Sequence, residues 1–270
     1  MVVSPKKSKH FSIVSWNINS IKVRLERVLD FCQRLNPDVL CLQELKCVEA
    51  SFPYAAFAEL GYRHAVVSGQ KQYNGVAILS PHALQATRVG LLPRDPAARW
   101  VEASIGALRV ICLYAPNGKE VGSDKYSYKL DWYAAAAANL RENYSATAKT
   151  AIVGDFNVAP ADIDVHNPKE RAGKLLCSVP ERQALATICA LGYHDHLRLK
   201  YPDETIYSWW DYRQFSFQRG KGFRIDFALV SDGLLPHCLD TTIVRDERKQ
   251  ERPSDHAPVV LSCAREACLT

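Results

Sequence analysis

Residues 11–44, FSIVSWNINSIKVRLERVLDFCQRLNPDVLCLQE, carry the pattern on which the fold turns. Phe11 to Asn17 alternates in the manner of a strand. Ile21, Leu25, Val28, Leu29, Cys32 and Leu35 then recur at helical spacing until Asn36-Pro37 stops the helix. Val39-Leu-Cys-Leu42 is an apolar run long enough only for a buried strand, and it delivers Gln43 and Glu44 at its C-terminal end. A carboxylate therefore stands where a buried strand meets a loop. The pattern continues outward. Strands are expected at 64–67, 75–79, 100–105 and 109–114, the last entering the turn signal Ala115-Pro-Asn-Gly118. An Ala-rich helix over 128–143 precedes a second buried strand ending in an acid, Thr150-Ala-Ile-Val-Gly-Asp155. A helix over 180–191 and strands over 224–230 and 257–263 complete an α/β protein with one site assembled from distant segments.

The bulk properties narrow the function classes. With 270 residues and 47% hydrophobic composition the chain can bury a large core. No linker-like stretch or repeat divides it, so a single domain is expected over 11–264, between a basic N-terminal tail (1–10, with Lys6, Lys7 and Lys9) and a short C-terminal tail (265–270). A net charge of +5, from 34 Lys+Arg against 29 Asp+Glu, permits a polyanionic partner without the signature of a histone-like binder. The 9 cysteines include no CxxC pair, which reads as reduced core thiol and not as a disulfide framework or zinc site. The absence of a membrane-span-length apolar run or a secretory signal points to a soluble, intracellular, cytoplasmic protein, associated with the nucleoid if the source is bacterial.

Asn17, Glu44, Tyr114, Asp155, Asn157, Asp226, Asp255 and His256 lie at or near strand ends. An oxygen-rich, acidic set of this kind suits a hard divalent cation such as Mg²⁺. Phosphodiester hydrolysis needs such a cation, an activated water and a positioned donor. Ser254-Asp255-His256 lacks the GxSxG elbow of a serine hydrolase, and His194-Asp195-His196 follows a helix and a glycine, where a turn or surface role outweighs metal binding. Asp162 and Asp164 read as shaping the turn after the Asp155 strand.

Seven motifs, in order across almost the whole chain, resemble the exonuclease III family of apurinic/apyrimidinic endonucleases, within the endonuclease, exonuclease and phosphatase superfamily. They are Ser15-Trp-Asn-Ile-Asn-Ser20, Leu42-Gln-Glu-Leu-Lys46, Tyr73-Asn-Gly-Val-Ala-Ile78, Tyr114-Ala-Pro-Asn-Gly118, Gly154-Asp-Phe-Asn-Val-Ala-Pro160, Gly222-Phe-Arg-Ile-Asp226 and Pro253-Ser-Asp-His-Ala-Pro258. The resemblance implies a four-layered α/β sandwich, two facing mixed sheets flanked by helices. It implies Mg²⁺ as cofactor, with Mn²⁺ also serving, and a metal site drawn from Asn17, Glu44, Asp155, Asn157, Asp255 and His256, Glu44 being the principal ligand. Asp155 would position and deprotonate the attacking water, Asn157 would donate to the phosphate or nucleophile, and Asp226 would hold His256 cationic against a phosphoryl oxygen. Tyr114 would aim a phenol or phenolate at the phosphate, and the group that protonates the leaving oxygen stays open.

The resemblance further implies a monomer acting in base excision repair on double-stranded DNA, 5′ to abasic sites or at damaged and recessed 3′ ends. Two other readings stay open: a superfamily phosphatase for inositol or lipid phosphates, and a catalytically dead lesion-binding protein. Ser208-Trp-Trp-Asp-Tyr-Arg213, followed by Phe217, Arg219, Lys221, Phe223 and Arg224, interleaves aromatics with cations, as a loop reaching DNA would. Trp209 aligns with the family's inserted aromatic, and Arg213 and Phe223 are counted as DNA contacts with it. Asn19, Lys22, Arg24, Lys71, Tyr73, Arg99 and Asn117 are further candidate contacts, as is the loop with Lys119 and Lys125. Leu176, near the end of the divergent segment 164–179, is a candidate wall of the lesion pocket.

Overall fold

Strand β1 (His10–Asn17), helix α1 (Ile21–Leu35) and strand β2 (Val39–Gln43) form a crossover unit in which β1 and β2 pair in parallel, Ile13 opposite Val39 and Asn17 opposite Gln43. The computed structural model describes residues 10–91 and 97–270, so the lysines of the N-terminal segment lie outside the described residues. Helix α1 stops where Asn36 turns left-handed (φ 47°) and donates its N–H to the Cys32 carbonyl, a C-cap ahead of Pro37. Helix α2 (Tyr54–Glu59) and strands β3 (His64–Ser68), β4 (Val76–Ser80), β5 (Gln85–Val89) and β6 (Trp100–Ile105) follow. A second crossover unit repeats the first: β7 (Leu108–Tyr114), α3 (Asp124–Asn143) and β8 (Thr150–Asp155), with β7 and β8 parallel and Tyr114 opposite Asp155. The remainder comprises α4 (Pro168–Arg171), α5 (Val179–Cys189), β9 (Tyr193–Asp195), α6 (His196–Lys200), β10 (Asp226–Ser231), β11 (Cys238–Ile243), β12 (Val259–Ala264) and α7 (Arg265–Leu269).

The strands make two six-stranded mixed sheets, ordered β11-β12-β1-β2-β4-β3 and β5-β6-β7-β8-β10-β9. Because side chains alternate between two covered faces, β2 and β8 are buried throughout. Val39 and Cys41 face the opposite sheet with Val101, Val110, Cys112, Ala151, Val153 and Ala228, whereas Leu40 and Leu42 face Val28, Phe31 and Phe57 of the helices outside. On the second sheet Ile111, Leu113 and Ile152 meet Trp132, Tyr133, Ala136 and Leu140 of α3 and Leu185 and Ile188 of α5. Helix, sheet, sheet, helix is thus the four-layered sandwich expected.

All 9 cysteines are free thiols, and no helix among the described residues is long and apolar enough to cross a membrane. Residues 265–270 are not the tail expected. They form α7, which buries Ala267 and Cys268, while Arg265 pairs with Asp38 at 2.7 Å and the Lys149 ammonium donates to the Ala267 carbonyl at 2.7 Å. Strand β10 begins at Asp226 and not at Arg224, because Arg224 and Ile225 are the buried approach to it.

Leu40→Ala removes a fully buried side chain from the sheet–α1 layer. It is expected to cost about 2–5 kcal/mol, against under roughly 0.5 kcal/mol for Val23→Ala on the exposed face of α1, both read from urea unfolding midpoints.

Candidate active site

The two crossover units end on one rim. Asn17 closes β1, Glu44 follows β2, Tyr114 closes β7 and Asp155 closes β8. Antiparallel β10 begins with Asp226 directly opposite Asp155, and His256 precedes β12. Ligand atoms of Glu44, Asp155 and His256 all lie within 4.8 Å of one another. Glu44 (φ 55°) and Asn157 (φ 52°) hold left-handed backbone, a conformation that persists only where neighbours enforce it. Around Glu44 the neighbouring amides do so: Leu45 and Lys46 donate to the carbonyls of Gly75 and Asn74, and Ser20 donates to that of Glu44.

The polar side chains form one network. The Asn17 amide donates to Glu44 Oε1 and to Asp155 Oδ2, each at 2.9 Å, holding the two carboxylates side by side. Lys46 Nζ lies 2.8 Å from Glu44 Oε2. The Asn157 backbone N–H donates to Asp155 Oδ1 at 2.8 Å, leaving Oδ2 toward the rim, 3.7 Å from His256 Nε2. His256 Nδ1 is 2.9 Å from Asp226 Oδ2, and that carboxylate accepts from Ser208 Oγ at 2.6 Å.

Burial pushes the Asp155 carboxyl up to about 7, with Asp226 and Glu44 adding to the rise and His256 opposing it. Burial would lower His256, yet the carboxylates of Asp226 and Asp155 outweigh it and raise the imidazole to about 10, so the ring is cationic at neutral pH. Tyr114 is pushed well above the usual phenol range by burial and by Glu44 and Asp155, which keeps it a phenol and a donor, not a phenolate.

Of the six residues expected around a metal, Glu44, Asp155 and His256 are brought together, and Asn17 meets the two carboxylates as a donor. Asn157 turns its amide to the Ala115 carbonyl (2.9 Å) and accepts from Asn117 (3.0 Å). The Asp255 oxygens accept from the Asn19 amide (2.9 Å) and the Trp209 indole (3.0 Å). The Glu44 and Asp155 carboxylates suit a hard divalent cation, whereas His256, expected among the ligands, is held cationic by Asp226 and Asp155 and has no lone pair to offer a metal.

Beside this rim opens a cleft of about 500 Å³, lined by Leu176, Trp209, Phe223, Arg171, Arg213 and Lys221 among others. Leu176, expected as a pocket wall, stands in it, and Phe223 lies beneath, edge-on to Trp209 at 5.6 Å. The other candidate DNA contacts divide. Lys22, Lys71, Tyr73 and Arg213 are exposed, Arg213 forked onto Asp211 at 2.6 Å. Arg99 lies over the Tyr114 ring at 4.8 Å, and Arg24 donates to the carbonyls of Asn19 and Pro253.

Three members of the aromatic and basic run are not where a DNA-facing loop would put them. Trp210 is buried with Phe217 edge-on at 5.2 Å, and Arg224 is buried between Asp164 (2.7 Å) and Asp195 (2.6 Å), an internal ion pair. Asp195 is thereby structural, as are its neighbours: His194 pairs with Asp232 and His196 with Thr241. Sequence reasoning missed Ser208, which orients Asp226, and Lys46, which balances Glu44; both stood inside motifs already singled out.

A family model described as Endonuclease/Exonuclease/phosphatase family matches residues 14–256. The chain is similar to exodeoxyribonuclease III of Haemophilus influenzae, 33% identical over 260 residues that cover 91% of this chain and 97% of that protein. Among solved structures it is similar to the 3′ phosphatase NExo from Neisseria bound to a product DNA hairpin (TM-score 0.90, 41% identity, 94% of this chain and 99% of the other). It is also similar to an AP endonuclease from Archaeoglobus fulgidus (TM-score 0.89, 37% identity, 93% and 98%). The chain therefore belongs to the endonuclease/exonuclease/phosphatase family, among its exonuclease III-like DNA repair nucleases, and is a phosphodiester hydrolase.

Proposed function

We propose that this nuclease works with Mg²⁺ on duplex DNA, removing phosphate and nucleotides from 3′ ends and incising 5′ to abasic sites. The observation that carries the reading is the meeting of Glu44, Asp155 and His256 on one rim beside the Leu176, Trp209 and Phe223 cleft. All of these substrates share one bond: attack at phosphorus with the 3′ oxygen leaving yields a 3′-hydroxyl in each case. A single arrangement of base and donors can serve them all. The Neisseria 3′ phosphatase, 41% identical, favours the 3′-end activity, and the Archaeoglobus enzyme, 37% identical, the abasic one. We further propose that the protein acts as a cytoplasmic monomer.

Asp155 takes the proton of the attacking water. Its raised affinity for protons suits a base working near neutrality, and the Asn157 N–H fixes its orientation. His256, held by Asp226, presents a charged Nε2–H to a phosphoryl oxygen, and Tyr114 offers a second, neutral donor. Glu44 and Asp155 are the carboxylates that would hold a divalent cation, whose charge would offset that on the phosphoryl and leaving oxygens. Trp209 stands at the cleft with its indole anchored on Asp255, placed to lean on an unstacked or missing base.

Asp155→Asn and Glu44→Ala should each lower kcat by about 10²–10⁴-fold on end-labelled duplexes carrying a 3′-phosphate or an abasic analogue. Wild-type turnover that persists in chelator would refute the reading. In Mg²⁺ the pH profile should show a limb that rises as Asp155 loses its proton, below the value of about 7 that burial gives the metal-free carboxyl, and a fall as His256 deprotonates toward about 10. Because burial raises the Asp155 carboxyl from the usual 3.8 to about 7, its extra proton affinity stabilises the metal-free fold in full below pH 3.8, and that contribution is lost as pH climbs from there through about 7. At pH 8 without metal, Asp155→Asn should therefore melt above wild type, and Mg²⁺ should raise the melting temperature of wild type but not of Glu44→Ala, read by calorimetry.

A further inference from the structure

Lys129, in the second turn of α3, and Glu181, in the first turn of α5, are both fully buried and lie 2.5 Å apart. A buried pair of this kind is a poor stabiliser, since apolar side chains of similar volume would fill the helix contact as well. What apolar residues could not do is hold loop backbone. Besides Glu181, Lys129 Nζ donates to the carbonyl of Asn157 at 2.6 Å and to that of Asn117 at 3.2 Å, so all three of its N–H groups are engaged. Glu181 accepts from the backbone N–H of Leu176 and of Ser178, both at 3.1 Å, and from Ser178 Oγ at 2.7 Å.

The two residues at the ends of this chain of bonds are strained. Asn157 (φ 52°) and Leu176 (φ 70°) are both left-handed without being glycine. One follows the strand that delivers Asp155, and its N–H orients that carboxylate; the other is a wall of the cleft. The Ala159 N–H closes the ring by donating to the Leu176 carbonyl at 2.7 Å. Burial lowers the proton affinity of Lys129, and the Glu181 and Asp155 carboxylates oppose that fall.

We infer that Lys129 and Glu181 are positioning residues: together they lock the Asn157 loop and the Leu176 wall in one geometry, so that a bound phosphate meets Asp155 in line. The inference rests on the function proposed above. It requires that loss of the pair misplace groups around the reacting phosphate while the DNA grip, made by other residues, persists.

The test measures kcat and KM for Lys129→Met, Lys129→Arg and Glu181→Gln on a 3′-phosphate hairpin and an abasic duplex in Mg²⁺, per folded molecule as judged by near-ultraviolet circular dichroism. Lys129→Met should lose about 10–100-fold in kcat with KM within about three-fold, and Lys129→Arg, which keeps charge and donors, should restore most of the loss. A purely structural role would lower the melting temperature and the folded fraction and leave kcat per folded molecule at the wild-type value, which would overturn the inference. If Lys129→Met does not fold, Glu181→Gln decides, since its amide nitrogen cannot accept from Ser178: reduced kcat at unchanged KM supports the inference, and wild-type kcat overturns it. Wild-type protein inactive on both substrates would instead sink the function proposed, separately from this pair.

Discussion

Three carboxylates and one imidazolium crowd a rim from which water is largely excluded, and the rest of the molecule is arranged to tolerate that crowding. Glu44, Asp155 and Asp226 repel one another, and burial together with its two neighbours pushes the Asp155 carboxyl up. His256 is trapped as a cation between Asp226 and Asp155, and the Asn17 amide bridges Glu44 and Asp155. Each acid is also tied to rigid backbone: Glu44 to the end of β2, Asp155 and Asp226 to adjacent strands in register. The electrostatic tension is what makes the site receptive to a divalent cation, and the sheets are what keep it from relaxing.

The positioning follows from the way the chain is wound. Both crossover units are parallel pairs whose strands run the same way toward the rim, so the residue after each buried strand arrives there without further instruction. The loops then need only short corrections, made at left-handed residues such as Glu44 and Asn157 and secured by neighbouring amides. Helices α3 and α5 are the outer layer of the second sheet, and through Lys129 and Glu181 they also reach the loops. Scaffold and site are thus coupled through a few buried polar contacts and not through the apolar core alone.

Much of this was legible in the sequence, and the exceptions have physical reasons. Glu44 and Asp155 were readable because each ends a run of apolar residues too short for a helix. Strands β5 and β9 were not, because β5 is a mostly exposed edge without an apolar face and β9 has only three residues. Arg224 looked like one more cation in a basic loop, since a sequence displays a charge but not a partner such as Asp164, distant in the chain. The same blindness hid Lys129, which sits in an Ala-rich helix where a solvated lysine would look identical. A signal did exist for its partner: Ser178 and Glu181 have the spacing of a capping box, and Glu181 serves the cap and the lysine at once.

The space between the sheets is filled by branched side chains interleaved with small ones, among them Ala103, Ala151, Ala228, Cys41 and Cys112. Glu44 rides on one sheet and Asp155 on the other, so the thickness of that filling acts as a shim between the two halves of a clamp. One added methylene at Ala151 or Ala228 would be felt at the rim as a change in jaw opening. The dull middle of the molecule therefore sets the calibre of its working end.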